Sequence, residues 1–220
     1  MSIQNVIDNA VSIIVERTKI AGSSLSRSGR FTTGLQVSNQ PFGFTVQYRP
    51  VQIYADVRAV LEEIDRLDVI NSEQVDIGST NTGLSWITAY MGDLTTAQLG
   101  QLELTSTAAN TITFDTSSVV GATSTDYVVK KGDYIQLETG YKYPYTATAD
   151  VQFGAAGTIT IPINRPFIEQ TGYTKTGKGL VAGNDVVWTV KMLTKPTYTI
   201  LPNRFVEFTG PFTLVEVIGD

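Results

Sequence analysis

The chain has 220 residues, of which 42% are hydrophobic and 17% charged, and its formal net charge at pH 7 is −5. It contains neither cysteine nor histidine, which excludes disulfides, cysteine nucleophiles, histidine-based triads and nearly all zinc sites. The acidic balance gives no general attraction for nucleic acid, because phosphate contacts depend on lysine and arginine.

The first residues predict a short helix that changes into an extended segment. Ile3, Val6 and Ile7 recur at helical spacing after Ser2, which can serve as the N-cap. From about Val11 onward the run VSIIVERTKI is rich in β-branched residues, which favours a strand. A signal peptide is not expected here, and no stretch approaches the 18 or so apolar residues that a membrane span needs.

A polar and basic segment, SSLSRSGRFTTG, follows and predicts a long loop or arm that carries Arg27 and Arg30. Phosphate binding is one use for such an arm, but arginine is enriched at protein interfaces, which favours a subunit contact. A short helix is also marginal in isolation. We therefore expect Ile3, Val6, Ile7, Arg27 and Arg30 to contact a neighbouring subunit and to become ordered on assembly.

The segment QPFGFTVQYRP predicts a strand that ends at Pro50, with Phe42, Phe44, Val46 and Tyr48 on one face.

The next segment predicts an amphipathic helix over 53–68. Its apolar stripe consists of Tyr54, Val57, Val60, Leu61, Ile64 and Leu67. Its acidic residues are Glu62, Glu63, Asp65 and Asp68. They are interleaved with arginines, which indicates a solvated helix face rather than catalytic carboxylates opposed across a cleft.

From about Val75 onward the sequence predicts almost only strands, separated by turns and rich in threonine. The candidate strands are EQVDI, LSWITAYM, QLELTS, NTITFD, DYVVK, DYIQLE, YTATADVQF, GTITIPI, DVVWTVKML, TYTIL, RFVEF and FTLVEVI. Trp86 and Trp188 alternate with strand neighbours and are expected in the core. No fixed-period repeat indicates a solenoid or propeller.

Within this region, KKGDYIQLETGYKYPYTATADV (residues 130–151) predicts a hairpin with several aromatic residues. Tyr141, Tyr143 and Tyr145 favour cross-strand packing. A platform for a sugar or base and a contact with another subunit are the alternatives for these tyrosines.

A near-motif of the phosphate-binding P-loop occurs at GYTKTGKG, where Gly172, Gly177 and Lys178 have the required spacing. Position 179 is glycine rather than a hydroxyl residue, and the following LVAGNDVVWTV is β-patterned instead of helical. We predict a glycine- and lysine-rich loop here and expect no cofactor and no metal.

Four segments, FTVQYRPVQIYADVRAVLEEIDRLD, LSWITAYMGDL, KKGDYIQLETGYKYPYTATADV and TITIPINRPFI, together resemble a family of virion structural proteins of contractile-tailed phages, especially cyanophages of the myovirus type. The resemblance covers most of the chain, and its most specific parts are LSWI, the KGD-YIQ turn and the IPINRP run. It brings no catalytic motif, and it implies a location in the virion, in the tail or baseplate.

The order of elements is also similar to the tail-tube fold. That similarity implies a mainly β (α+β) fold, with a pair of packed antiparallel sheets, one flanking amphipathic helix and a short N-terminal helix. Residues 1–100 and 180–220 would form this tube-like domain, with a small β-barrel or sandwich of residues 101–179 inserted into it.

These observations favour a non-enzymatic, ring-forming subunit coaxial with the tail tube, of the tube-initiator or baseplate-hub kind. Its partners would be copies of itself, six by the same similarity, and neighbouring tube and baseplate proteins, with DNA only as passing cargo and no membrane. An adaptor or fibre-attachment protein that binds another component through residues 130–153 is the alternative. A carboxylate-based enzyme that degrades cell walls is a third hypothesis.

Overall fold

The computed structural model describes residues 3–17, 41–66, 71–78, 83–138, 143–168 and 179–218, together with the backbone of 21–25 and 31–35. The fold is mainly β, as predicted, with 42% of residues in strands and 19% in helices. The strands are β1 (Ser12–Arg17), β2 (Ala21–Leu25), β3 (Phe31–Leu35), β4 (Phe42–Gln47), β5 (Val51–Ile53), β6 (Glu73–Asp76), β7 (Glu103–Ala108), β8 (Thr111–Asp115), β9 (Tyr127–Val129), β10 (Tyr134–Leu137), β11 (Tyr145–Thr146), β12 (Val151–Gln152), β13 (Thr158–Pro162), β14 (Leu180–Ala182), β15 (Val187–Thr194), β16 (Tyr198–Leu201), β17 (Phe205–Phe208) and β18 (Phe212–Glu216). The helices are α1 (Ile3–Asp8), α2 (Tyr54–Arg66) and α3 (Thr96–Gly100).

The largest sheet has five antiparallel strands in the order β1-β4-β18-β15-β6. Side chains alternate along β4, where Phe42, Phe44 and Val46 are buried while Gly43 and Thr45 lie half-buried on the opposite face. This burial confirms the period-two pattern that the sequence predicted.

The first core is formed by the buried face of this sheet together with α1 and α2. Trp188 packs edge-on against Phe44 and Tyr134, with ring centroids 5.6 and 5.5 Å apart, an arrangement that aromatic rings prefer. Trp188 is 1% exposed, which confirms its predicted place in the core.

Helix α2 contributes to two apolar clusters at once. Val60 and Ile64 lie in the first core, whereas Val57 and Leu61 pack against Val206 of β17. The helix therefore joins the five-stranded sheet to a separate three-stranded sheet, in which β17 is central between β16 and β5.

The helix bounds differ slightly from the prediction of 53–68, since α2 runs from Tyr54 to Arg66 and Leu67 lies outside the described residues. Tyr54, the first residue of the predicted stripe, is 37% exposed because it begins the helix, directly after β5.

A second core lies among three small antiparallel sheets, β13-β8-β7, β11-β10-β14 and β12-β9. It takes in residues on both sides of the predicted boundaries of the inserted domain, since Leu94 and Leu99 precede residue 101 and Leu180 and Ala182 follow residue 179. The division into domains stays a prediction.

Strand β10 lies between the two cores, and each of its faces is buried in a different one. Tyr134 belongs to the first core, whereas Ile135 and Leu137 belong to the second. Each face of β10 therefore belongs to its own core.

The prediction of a strand over LSWITAYM, residues 84–91, is wrong. Ser85–Ile87 form a turn of 3-10 helix, and Trp86 is 72% exposed instead of lying in the core. The chain is held here by distant partners, because the Thr88 hydroxyl donates to Asn184 Oδ1 (2.8 Å) and the Tyr90 hydroxyl donates to the carbonyl of Val128 (2.5 Å).

The predicted loop or arm at SSLSRSGRFTTG contains regular structure. The backbones of β2 and β3 pair in antiparallel register, from Ala21 opposite Leu35 to Leu25 opposite Phe31. They form a two-stranded sheet of their own.

Candidate functional site

The described residues hold no group of three or more acidic side chains that could bind a metal ion. On α2, Glu62 and Asp65 are exposed, and Glu62 lies 3.6 Å from Arg66 in a surface ion pair. These two carboxylates agree with the solvated face that the sequence predicted. Glu63 is half-buried, and Asp68 lies outside the described residues. In the described ranges, no helix combines the length and the apolar character needed to cross a membrane.

The predicted contact residues of α1 lie inside this chain's own first core. Ile3, Val6 and Ile7 are at most 2% exposed. The Tyr48 hydroxyl donates to the carbonyl of Val6 (2.9 Å), and burial raises the pKa of Tyr48 above its usual range. A contact with a neighbouring subunit through these side chains would require α1 to leave this position, and their interface role stays a prediction.

The predicted tyrosines of the hairpin lie in the second core. Tyr143 and Tyr145 are 6% and 2% exposed. Tyr145 stacks on Phe167 with a centroid distance of 5.6 Å, and its hydroxyl accepts a hydrogen bond from the Ile168 N–H (3.0 Å). Burial raises the pKa of Tyr145 to about 12. Arg27, Arg30 and Tyr141 lie outside the described residues, as do Gly172, Gly177 and Lys178 of the near-P-loop.

The KGD turn before β10 anchors the connection between the two cores. Asp133 accepts hydrogen bonds from the backbone N–H groups of Lys130 (2.8 Å) and Met91 (3.0 Å). Burial raises the pKa of the Asp133 carboxyl, and these two backbone bonds partly offset that effect. The turn therefore positions residue 91, which follows the 3-10 segment, against the start of β10.

A buried glutamine on β10 joins the second core to the five-stranded sheet. The Gln136 side chain donates to the carbonyl of Val187 (2.9 Å) and accepts from its N–H (3.1 Å). The amide NH2 and oxygen of Gln136 both bond the backbone of Val187 in β15. The side chain therefore pairs with these two backbone groups as a neighbouring strand would.

The strongest link between the cores is a buried ion pair. Arg165 and Glu216 have side chains that are 0% and 1% exposed and make two hydrogen bonds, of 2.5 and 2.7 Å. Arg165 also donates to the carbonyl of Pro144 (2.6 Å), and the Phe42 N–H donates to Glu216 (2.9 Å). The guanidinium carbon lies 4.9 Å from the ring centroid of Phe42 and 5.3 Å from that of Tyr145.

This arrangement makes the junction between the cores specific. A buried charge pair is stable only when its partners are correctly placed, because a charge without its partner is costly to bury. Phe42 and Glu216 come from the five-stranded sheet, and Tyr145 comes from β11. The relative position of the two cores is therefore fixed by charge as well as by apolar packing.

The two edges of the five-stranded sheet differ in whether another element bonds to their backbone. At β6, the Gln4 side chain of α1 donates to the carbonyl of Asp76 and accepts from the Asp76 N–H, both at 2.7 Å. The N–H of Ile3 donates to the Glu73 carboxylate (2.7 Å). Helix α1 thus covers this edge and occupies backbone groups that another strand could pair with.

The β1 edge carries no such cover among the described residues. β1 is the outer strand of the sheet and pairs only with β4 there. Its sequence, SIIVER, contains no proline or lysine, but its last two residues, Glu16 and Arg17, are exposed charges of the kind that discourages strand addition. Ile14 is 47% exposed and Val11, just before the strand, is 44% exposed.

The three-stranded sheet has one buried face and one apolar face open to solvent. Ile53 and Leu201 lie opposite Phe205 on its two sides, so these three side chains form a row across the sheet. Val206 points the other way, onto α2. The large apolar side chains exposed on the same face as Phe205 are Val51 and Ile53, whereas Ile200 is exposed on the opposite face, where it pairs with Val206.

Sequence reasoning missed the residues that hold the junction and cover the edge, namely Gln4, Asp133, Gln136, Arg165 and Glu216. A signal existed for some of them. Arg165 follows an apolar strand in TITIPINRPFI, and Glu216 interrupts the apolar run FTLVEVI, so each is a charge placed next to core positions.

No protein-family model matches this sequence, and no curated protein matches it.

Proposed function

We propose that this protein is a non-enzymatic structural subunit of a contractile phage tail or baseplate, and that copies of it assemble into a ring around the axis of the tail tube. One observation carries the proposal. Val51, Ile53 and Phe205 are 49%, 49% and 40% exposed, and the strand register puts these three side chains on one face of the three-stranded sheet. Contiguous apolar surface of this kind marks contacts between proteins.

The four segments that resemble virion structural proteins support a role in a phage tail or baseplate. Two of their most specific parts lie at the junction of the cores, since the KGD turn supplies Asp133 and the IPINRP run supplies Arg165. A buried ion pair that holds the two cores together suits a subunit that keeps its shape within a larger assembly.

The charge of the chain supports the same role. A net charge of −5 disfavours adhesion of a passing nucleic acid, since electrostatic attraction to phosphate requires clustered lysine and arginine. The partners would be identical copies and adjoining tube or baseplate proteins in the virion, with DNA as cargo.

The alternative of an adaptor that grips a partner through the aromatic residues of 130–153 has less support. Tyr134, Tyr143 and Tyr145 are all buried within this chain. A partner would have to bind other side chains of that segment.

Mass photometry tests the ring directly. Six copies of 23.9 kDa give a species of roughly 143 kDa. We expect this species for the natural chain and its loss in Phe205→Asp, because a charge in the apolar row opposes burial of that face.

Val120→Asp is the matched control. Val120 is 77% exposed, belongs to neither core, and its backbone bonds the side chains of Gln98 in α3 and Gln101 rather than any residue of the three-stranded sheet, so this variant should still assemble. A chain that remains monomeric at every concentration, or one whose assembly survives Phe205→Asp, contradicts the proposal.

A further inference from the structure

The open face of the three-stranded sheet has opposite charges toward its two ends and apolar side chains between them. Ile53 and Leu201 flank Phe205 in the apolar row. Arg204 comes directly before Phe205, at the hairpin end of the sheet. Glu207 comes two residues after Phe205 and lies on the same face of β17. Along this strand the order is therefore a cation, the apolar row and an anion.

Neither of these two charges is paired within the part of the chain that the structure describes. No ion pair there involves Arg204 or Glu207. Arg204 is exposed and Glu207 is half-buried. A carboxylate and a guanidinium form strong, charge-assisted hydrogen bonds when they meet. Both groups can therefore bind an opposite charge on another molecule.

The backbone at the hairpin end holds Arg204 in an unusual conformation. Arg204 has a φ of 68° and follows Asn203, which has a φ of 62°. Glycine adopts positive φ freely, whereas arginine rarely does and is strained there. Residues held in sparsely populated backbone conformations cluster at functional sites. The chain nevertheless has an arginine at this position, beside the apolar row.

Two copies of this face fit each other in one orientation. When a second copy faces the first with its strands antiparallel, Arg204 of each copy lies opposite Glu207 of the other. The twofold axis then runs across the strands near Phe205, so the two Phe205 rings meet. Parallel strands would instead bring like charges together. Because a twofold contact uses the same patch on both copies, the favourable charge pair is made twice.

We propose that free subunits pair through this face as antiparallel dimers, and that each pair separates before its copies enter the ring. The inference rests on the proposed function, since it gives the same apolar face a second, competing contact. Pairing would cover Val51, Ile53 and Phe205, which are exposed in the single chain, until assembly begins. Small interfaces give weak and transient complexes, so a ring neighbour can displace the second copy.

Charge reversal at the two ends of the face tests the pairing. Arg204→Glu leaves two carboxylates on each copy and Glu207→Arg leaves two cations, so either variant alone should repel its own copies. An equal mixture of the two should pair, because every charge then meets its opposite. Sedimentation equilibrium at low salt measures the dimer as a species of about 48 kDa, twice the chain mass of 23.9 kDa. We expect the natural chain and the mixture to dimerise alike, with a Kd about tenfold higher for either variant alone.

The exposed pair of Glu62 and Arg66 supplies the matched control, because α2 packs on the opposite face of the three-stranded sheet. Glu62→Arg and Arg66→Glu should each dimerise like the natural chain. A single cysteine checks the geometry, since the natural sequence has none. Phe205→Cys should form a disulfide-linked dimer on oxidation, and Val120→Cys should not.

Failure of the dimer and failure of the ring give different results. If the mixture pairs no better than either variant alone, or if the natural chain forms the sixfold species and never a dimer, the pairing is overturned and the ring stands. If the natural chain dimerises as described but forms no ring under any condition, the proposed function fails and the pairing stands. A chain that stays monomeric throughout overturns both.

Discussion

The guanidinium of Arg165 is shared between two parts of the chain that are far apart in sequence. It donates to the carbonyl of Pro144 and to both oxygens of Glu216, 51 residues downstream. Neither charge has access to water to compensate for a lost partner. The two residues therefore stabilise the fold only together, and a single replacement is expected to cost more than a double one.

Replacement of Arg165 by methionine should lower the free energy of unfolding by roughly 3–5 kcal/mol, because it leaves the Glu216 carboxylate buried without a cation. The double variant Arg165→Met with Glu216→Leu should recover much of that loss. Chemical denaturation measures both. The exposed pair of Glu62 and Arg66 supplies the control, since Arg66→Met should change stability by less than about 1 kcal/mol. Equal effects of Arg165→Met and Arg66→Met would contradict the assignment.

At the scale of elements, helix α1 has two roles: it packs in the first core and it covers one edge of the five-stranded sheet. Its apolar residues fill the first core, while Gln4 covers the backbone of Asp76. Helix α1 has only six residues and is marginal alone, so its position depends on these contacts. Packing and edge protection are thus coupled in one short helix.

Replacement of Gln4 by alanine should uncover the β6 edge. We expect a loss of about 1 kcal/mol in the free energy of unfolding, because two partly buried backbone groups of Asp76 lose their partner. We also expect more self-association in light scattering as concentration rises. Asn9→Ala is the control, since Asn9 directly follows α1 and its side chain makes a local bond, donating to the carbonyl of Asn5 (2.9 Å). Scattering that is the same for Gln4→Ala and Asn9→Ala would refute the role of Gln4.

Elements with one buried face were predictable from local pattern alone. The alternation at Phe42, Phe44 and Val46 and the helical stripe of α2 are both found in the structure. LSWITAYM has a similar apolar content, but its conformation is decided by bonds to Val128 and Asn184, which lie 38 and 96 residues away. Local pattern carries no information on such partners.

The covered edge of the sheet and the junction between the cores were harder to predict for the same reason. The cover on β6 depends on a bond between residues 72 positions apart, and the pair at the junction spans 51. Polar residues such as Gln4 look like ordinary surface residues in a sequence. Whether a sheet edge is covered or open follows from tertiary contacts, which the period of the side chains does not encode.

At the scale of the whole molecule, the two cores consist of different residues, but the chain segments that connect them lie close together. The backbones of Gly100 and Gly179 are in close contact, since a Cβ added to Gly179 would lie 2.8 Å from the Cα of Gly100. A short linker could therefore close this gap, as loop-closure entropy varies weakly with length. Such a linker would remove Tyr134 and Arg165, and the five-stranded sheet would lose its contacts with both side chains.

Replacement of residues 101–179 by a short Gly-Ser linker should abolish cooperative unfolding, because Glu216 would remain without Arg165. Adding Glu216→Leu to the linker variant should restore a cooperative thermal transition of the five-stranded sheet with α1 and α2. Calorimetry with circular dichroism measures both variants. If the linker variant alone unfolds as sharply as the full chain, the ion pair does not hold the two cores together.

The order of strands in the large sheet has a consequence for synthesis on the ribosome. β4 is made early, but its neighbour β18 comes from residues 212–216 and Trp188, which packs on Phe44, also comes late, so the five-stranded sheet is completed only when nearly the whole chain has emerged. The second core is built almost wholly from residues 94–182, which are continuous in sequence and emerge before β18. On nascent chains the second core is therefore complete while the first core is still partly exposed, which makes the time of synthesis the period in which this chain is most prone to aggregate.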